Sequence, residues 1–137
     1  MLSITSELLD NLLVQASGTP RLRMHFDLRN EGGEESQRML NALLPGTPLP
    51  IHRHNNTDET VIILRGSMDE VFYDANGSEI GRIHLDSQNG QYGCQIPSGR
   101  YHSVEVFEPS VIVEFKAGCY DPASTEDYLS AETVGGK

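Results

Sequence analysis

From Pro20 onward, the chain is a series of short runs in which apolar and polar residues alternate, separated by glycine, proline and asparagine. The first run has apolar residues at positions 22, 24, 26 and 28, with arginine, histidine or aspartate between them. Alternation with a period of two is the pattern of a half-buried β-strand. Further strands are predicted at 37–44, 60–64, 68–73, 79–85, 93–96, 101–107 and 110–116. So many short strands predict an all-β fold, a small antiparallel β-barrel or jelly roll, rather than an α/β layer fold.

A helical period is found at the N-terminus. Its apolar residues recur at three- and four-residue spacing: Leu8, Leu9, Leu12, Leu13 and Ala16. This spacing predicts a short amphipathic helix over about 3–16, with Ser6 available as its cap. The Asn76-Gly77 pair predicts a tight hairpin between the strands on either side of it. We detect no repeat or linker and expect one domain over 1–137, with the barrel over about 21–117 and an irregular C-terminal tail.

The charge of the chain restricts its partners. The 137 residues carry a formal net charge of -10, and no basic stretch offsets it. Such a chain repels nucleic-acid backbones and anionic membranes, so we expect neither as a partner. Cys94 and Cys119 are far apart and form no CxxC pair, which predicts reduced thiols. Without a cationic start and continuous apolar run at the N-terminus, or a segment of transmembrane length, we expect a cytoplasmic location.

The histidines point to metal chemistry. His52 and His54 flank one residue, so on extended backbone both imidazoles point to the same side while Arg53 points away. Glu59 begins the next strand and can add a carboxylate, and His102 is a natural fourth ligand. Imidazole and carboxylate donors suit Zn, Fe, Ni, Mn or Cu. We predict that these four residues bind one divalent transition metal ion, the alternative being a barrel that keeps them and stays empty.

Other polar residues are candidates for binding substrate or moving a proton. Three arginines could grip a carboxylate or phosphate, or simply pair with acidic side chains: Arg21, Arg23 and Arg38. Three residues are candidates for proton transfer: His25, Tyr101 and Glu105. His25 is either a cavity wall or part of a solvent-facing strand surface, and packing explains Tyr101 equally well.

The spacing of the ligand candidates resembles a known motif. Gly46, five residues, His52-Arg-His54, four residues, Glu59, six residues and Gly66 match the first motif of the cupins. The segment 97–102 is similar to the second cupin motif, although its usual final asparagine falls on a valine here. This resemblance implies a cupin barrel in which the four predicted ligands hold the metal.

Three further segments resemble the WbuC family of cupin fold metalloproteins: PRLRMHF at 20–26, QRMLNAL at 37–43 and FKAG with YDP at 115–122. Members of that family are associated with bacterial surface-polysaccharide gene clusters. The resemblance implies a metal site and points toward a sugar-related substrate. Our first hypothesis is a metalloenzyme acting on a small polar substrate such as a sugar or sugar derivative, with isomerase- or epimerase-like activity. The alternatives are an Fe(II) dioxygenase and a non-catalytic, metal-dependent small-ligand binding or sensor module. Because cupins frequently pair their sheets, we expect a homodimer.

Overall fold

The computed structural model describes residues 1–119 and 126–129, which contain one α-helix and ten β-strands. In chain order these are α1 (Ser6–Ser17), β1 (Arg23–Asp27), β2 (Ser36–Leu43), β3 (His52–His54), β4 (Glu59–Arg65), β5 (Met68–Tyr73), β6 (Glu79–Leu85), β7 (Gly93–Ile96), β8 (Tyr101–Val106), β9 (Ser110–Ala117) and β10 (Glu126–Tyr128). The predicted strands β5, β6 and β7 have the bounds that alternation and turn residues indicate.

The strands form two antiparallel sheets of five strands each. The first has the order β1-β2-β9-β4-β7 and the second the order β10-β3-β8-β5-β6. Successive strands such as β3 and β4 lie in different sheets, so the chain crosses from one sheet to the other several times. This is a jelly-roll arrangement, which confirms the predicted all-β fold, although the two sheets do not close into a continuous barrel.

The apolar core fills one end of the space between the sheets. Val61 and Ile63 of β4 pack there in one cluster with Met68 of the second sheet. Toward the other end the same strand faces become polar, because β4 begins with Glu59 and β8 carries His102, both buried. The interior therefore has an apolar end that stabilises the fold and a polar end that needs a chemical explanation.

The helix covers the outer face of the first sheet. Leu9 and Leu12 of α1 are buried in a second apolar cluster with Leu40 and Val111 of the sheet. Burying each such leucine stabilises the fold by about 2 kcal/mol. As a result, β2 alternates between residues under the helix and residues that face the interior. No helix in the described part of the chain has the length and apolar character needed to cross a membrane.

The start of the helix differs from the prediction. α1 begins at Ser6 rather than near residue 3, and its cap is Thr5 rather than Ser6. Thr5 has extended backbone, and its hydroxyl accepts a hydrogen bond from the Leu8 N–H at 3.2 Å. A hydroxyl on the extended residue before the first turn satisfies a free backbone N–H, and Thr5 rather than Ser6 occupies that position.

The C-terminal segment also differs from the prediction. The expected irregular tail is wrong at β10, whose residues pair antiparallel with β3 so that Tyr128 lies opposite His52. Three residues are too few to show a period, so the pairing follows from the free edge that β3 offers. The YDP segment, with Tyr120, lies outside the described residues.

Candidate metal centre

His52 and His102 face each other across the β3–β8 ladder. They are register partners, and their ring centroids lie 4.3 Å apart. The ring of His54 lies 5.2 Å from that of His52 and 5.6 Å from that of His102. One potential ligand atom from each imidazole lies within 4.8 Å of the other two. The structure thus brings the three predicted imidazole ligands together in a largely buried cluster.

Backbone carbonyls orient two of these rings. His52 Nδ1 lies 3.0 Å from the carbonyl oxygen of Pro50, and His102 Nδ1 lies 3.0 Å from that of Arg100. A carbonyl oxygen only accepts hydrogen bonds, so each Nδ1 carries a proton and each Nε2 keeps its lone pair. Burial, together with the neighbouring His102, lowers the pKa of His52 to about 4, and burial lowers the pKa of His102 as well. Both rings are neutral at pH 7, which is the form that binds metal.

Glu59 completes the cluster. Its Oε2 lies 3.0 Å from His54 Nε2 and 3.8 Å from His102 Nε2. Burial raises the pKa of this carboxyl, but the hydrogen bond from His54 and the positive charge of Lys116 outweigh it and lower the pKa to about 2. The cluster therefore holds an ionised carboxylate between two imidazoles at pH 7.

This donor set fits a divalent transition metal ion. Three imidazole nitrogens and one carboxylate oxygen are the donors that Zn, Fe, Ni and Mn sites use, whereas Ca and Mg sites are built from oxygen. The carbonyl partners of His52 and His102 are the kind of outer hydrogen bond that fixes the orientation of metal-binding histidines. His52, His54, Glu59 and His102 are thus the residues that could hold an ion here.

A cavity of about 440 Å³ adjoins the cluster, and His52, His54 and Glu59 are part of its wall. Strands β1, β2, β4 and β9 of the first sheet contribute to this wall, as do β3 and β10 of the second. Its volume lies in the range of small-molecule sites. Five cationic side chains line it: Arg21, Arg23, Arg29, Arg38 and Lys116.

The three arginines predicted to bind substrate all line this cavity, but their hydrogen-bond and ion-pair partners differ. Arg23 Nη1 donates to the carbonyl oxygen of Pro48 at 2.8 Å. Arg38 Nη2 forms an ion pair with Glu34 at 3.2 Å, so the expected pairing with an acidic side chain applies to this residue. Arg21 is exposed at the cavity wall.

His25 combines its two predicted roles. It lies opposite Asn41 in the β1–β2 ladder, and both residues line the cavity. The residues on either side of it, Met24 and Phe26, pack instead into the cluster under α1. Because the His25 side chain is also exposed, it belongs to the cavity wall and to the solvent-facing surface of β1 at once.

Tyr101 and Glu105 do not reach the cavity. On β8 both alternate with His102, so they lie on the outer face of the second sheet. The Tyr101 ring stacks with Arg53, whose guanidinium carbon lies 4.7 Å from the ring centroid. Glu105 Oε1 accepts a hydrogen bond from Arg82 Nη1 at 2.8 Å. This placement corrects the expectation that either side chain moves a proton at the cluster.

Sequence reasoning missed three charged interior residues: Glu70, Glu114 and Lys116. Glu114 and Lys116 line the cavity from β9, whereas Glu70 is 2% exposed on β5, and its Oε2 has no hydrogen-bond partner among the described residues. Burial raises the pKa of Glu70 well above its usual value, and Glu59 and Glu114 raise it further. The available signal was the interruption of an apolar run in β5 and β9 by charged residues.

Comparison with protein-family models assigns the chain to a family. Residues 4–85 match the family model described as Domain of unknown function (DUF6016). The chain belongs to this family. The matched segment runs from α1 through β6 and includes His52, His54 and Glu59, but it ends before His102. No curated protein sequence matches the chain.

Solved structures share the fold at low sequence identity. CapF from Staphylococcus aureus, a capsular polysaccharide assembling protein, aligns with a TM-score of 0.62 and 18% identity over 79% of this chain and 32% of that one. A cupin 2 domain-containing protein from Halorhodospira halophila aligns with a TM-score of 0.61 and 12% identity over 82% and 74% of the two chains.

A third similar structure is the dTDP-4-dehydrorhamnose 3,5-epimerase from Sulfolobus tokodaii, with a TM-score of 0.57 and 18% identity over 72% of this chain and 60% of that one. The chain spans about a third of the length of the CapF structures that it matches. Together these similarities confirm the cupin fold that the two motifs predict.

Proposed function

We propose that this chain is a metal-dependent enzyme of the isomerase or epimerase type, acting on a small polar substrate such as a sugar or sugar derivative. The observation that carries the proposal is the convergence of three imidazoles and the Glu59 carboxylate beside a cavity of about 440 Å³, whose wall includes His52, His54 and Glu59. A histidine cluster that served only packing would not need an adjoining cavity of ligand size.

The proposed ligands are His52, His54, Glu59 and His102. These residues would hold the ion, and the chemistry that it would supply when bound is Lewis-acid polarisation of a carbonyl or hydroxyl oxygen of the substrate. The carbonyl groups that accept from His52 and His102 keep the two rings oriented toward the cluster. The ionised carboxylate provides the negative charge that a divalent cation requires.

An isomerase or epimerase also needs a group that moves a proton without being bound to the ion. His25 and Tyr128 both line the cavity, and the Tyr128 ring centroid lies 6.0 Å from that of His52. We propose that one of these two side chains takes this role. Their positions on the wall of the same cavity favour an enzyme over a passive binding module.

The proposed substrate class rests on two further similarities. Two proteins with this fold are named for sugar chemistry, a capsular polysaccharide assembling protein and a dehydrorhamnose epimerase. The segments that resemble the WbuC family point the same way, since its members are associated with surface-polysaccharide gene clusters. We therefore propose a role in surface-polysaccharide metabolism.

Elemental analysis by mass spectrometry tests the metal site. The wild type is compared with His52→Ala/His54→Ala and with the control His84→Ala, which removes an imidazole that is bound to Asp69 on the outer face of the second sheet. All proteins are prepared without chelators or nickel resin and checked for folding by circular dichroism. We expect about one equivalent of a transition metal in the wild type and control, and none in the double variant.

Each result has a distinct meaning. Iron as the occupant would favour the dioxygenase alternative, whereas zinc, nickel or manganese would favour Lewis-acid chemistry. A wild type that holds no metal, even after dialysis against each of these ions, would overturn the proposed metalloenzyme.

A further inference from the structure

The cavity has a charge opposite to that of the chain. The sequence has 10 lysines and arginines against 20 acidic residues, giving a net charge of -10. Five of those ten cationic side chains line the cavity, together with three carboxylates: Asp27, Glu59 and Glu114. The formal charge of the wall is therefore +2 before any metal ion binds. A cleft with this segregated charge attracts an anion.

The cationic side chains are not equally available. Arg29 forms an ion pair with Asp27, with Nη2 2.7 Å from Oδ2, and Arg38 forms an ion pair with Glu34. Among residues 1–119 and 126–129, three cavity-lining cations have no ion pair: Arg21, Arg23 and Lys116. A cation at a cavity wall that forms no ion pair keeps N–H donors available for a ligand.

Arg21 and Arg23 form the most concentrated part of this charge. They flank Leu22, whose φ of 54° makes it the one non-glycine residue of the described chain with a left-handed backbone. That conformation costs about 1 kcal/mol. It occurs where the chain sets two guanidinium groups along the same cavity, and among the described residues Arg23 donates one hydrogen bond, from Nη1 to the carbonyl oxygen of Pro48. The remaining N–H donors of the two guanidinium groups are suited to bidentate hydrogen bonds with an anion.

A neutral polar group completes the wall. Asn41 lines the cavity, and its Oδ1 is buried with no hydrogen-bond partner among the described residues. Leaving a buried amide oxygen without a donor costs about 1–3 kcal/mol. A hydroxyl group of a ligand would supply that donor.

We infer that the ligand of this cavity is a small hydroxylated anion, whose carboxylate or phosphate group is bound by Arg21 and Arg23 while its hydroxyl groups face Asn41 and the histidine cluster. The inference rests on the proposed function for the metal-facing end of the ligand, but the anion site itself depends only on the two arginines.

Isothermal titration calorimetry with three matched sugars tests the inference. Glucose, glucuronate and glucose 6-phosphate share a ring but differ in charge, and each is titrated into the full chain in its zinc-loaded and metal-free forms. The variant is Arg21→Gln/Arg23→Gln. The control Arg65→Gln/Arg100→Gln makes the same change in net charge at two arginines that do not line the cavity. Metal content is measured for every sample.

We expect at least one anion to bind about tenfold or more tightly than glucose, and the Arg21/Arg23 variant to lose that preference while the control keeps it. Whether glucuronate or glucose 6-phosphate binds better identifies the anionic group. The inference is overturned if neither anion binds below about 20 mM, if glucose binds equally well, or if the Arg21/Arg23 variant binds like the wild type.

The two proposals fail in different ways. Anion selectivity that depends on Arg21 and Arg23 in a chain that holds no metal would overturn the metalloenzyme and leave the anion site. One equivalent of metal without anion selectivity would do the reverse.

Discussion

Lys116 lies directly opposite Glu59 in the β9–β4 ladder, and both side chains line the cavity. Residues paired in this way have Cβ atoms only about 5 Å apart. The Lys116 ammonium group therefore acts electrostatically on the Glu59 carboxylate and on any ion bound to it. It favours the ionised carboxylate, opposes the approach of a cation and attracts an anion. Its removal should therefore have opposite effects on the two proposed ligands.

We expect Lys116→Gln to bind zinc about threefold to tenfold more tightly than the wild type, because a nearby positive charge is lost while Glu59 stays ionised at pH 7. The same variant should bind anions more weakly. Competition with a chromophoric chelator measures the first effect, and calorimetry the second. Arg100→Gln, an equal change in charge away from the cavity, should alter neither. A parallel change in both affinities would contradict this account of Lys116.

The buried Glu70 should give the protein an unusual pH dependence of stability. Burial, with Glu59 and Glu114, raises the pKa of Glu70 in the folded protein well above its usual value of 4.5. The folded state then binds more protons than the unfolded state above about pH 4.5, so this residue lowers the free energy of unfolding as pH rises, by up to about 1.4 kcal/mol per pH unit. Glu70→Gln keeps the shape of the side chain and removes the titration.

We therefore expect metal-free Glu70→Gln to unfold at the same urea concentration as the wild type near pH 4.5, and at a progressively higher one toward pH 8. Urea denaturation curves at several pH values measure the difference. Titrating groups that do not interact with Glu70 are common to the two proteins and cancel in the comparison. A difference that stays constant with pH would show that Glu70 is ionised in the folded state.

Gly66, the last residue of the first cupin motif, is required by the backbone. Its φ is 95°, and a Cβ there would lie 2.2 Å from Ser110 Oγ and 2.5 Å from the Pro109 carbonyl oxygen. Gly66→Ala should lower the free energy of unfolding by about 2 kcal/mol or more. The matched control is Gly81→Ala in β6, where a Cβ meets nothing within 4 Å, and we expect it to be neutral or slightly stabilising. Equal stability of the two variants in urea would refute this assignment.

The outer face of the second sheet and the cavity wall formed by the first sheet should respond differently to mutation. Tyr101→Phe and Glu105→Gln alter the outer face, so we expect metal content and sugar binding to stay within about twofold of the wild type. His25→Gln changes the cavity wall and should weaken sugar binding without changing metal content. Calorimetry and elemental analysis measure both quantities. A loss of sugar binding in Glu105→Gln would mean that the outer face communicates with the cavity.

The sequence by itself determined the helix, the spacing of the ligand candidates and every strand of the described chain except the three-residue strands β3 and β10. These features depend on local physics: alternation fixes which side of a strand is buried, and a two-residue separation puts His52 and His54 on the same side. The Asn-Gly turn between β5 and β6 is local in the same sense, because Gly77 has the positive φ that the turn requires.

Only the tertiary structure decided which charged residues share the cavity. Glu70, Glu114 and Lys116 lie on strands that are read as apolar in sequence, and their role depends on which strand pairs with which. Strand pairing between distant segments sets these neighbours, and no local pattern along the chain encodes it. The outward placement of Tyr101 and Glu105, in contrast, follows from a local pattern, because both alternate with His102 on β8.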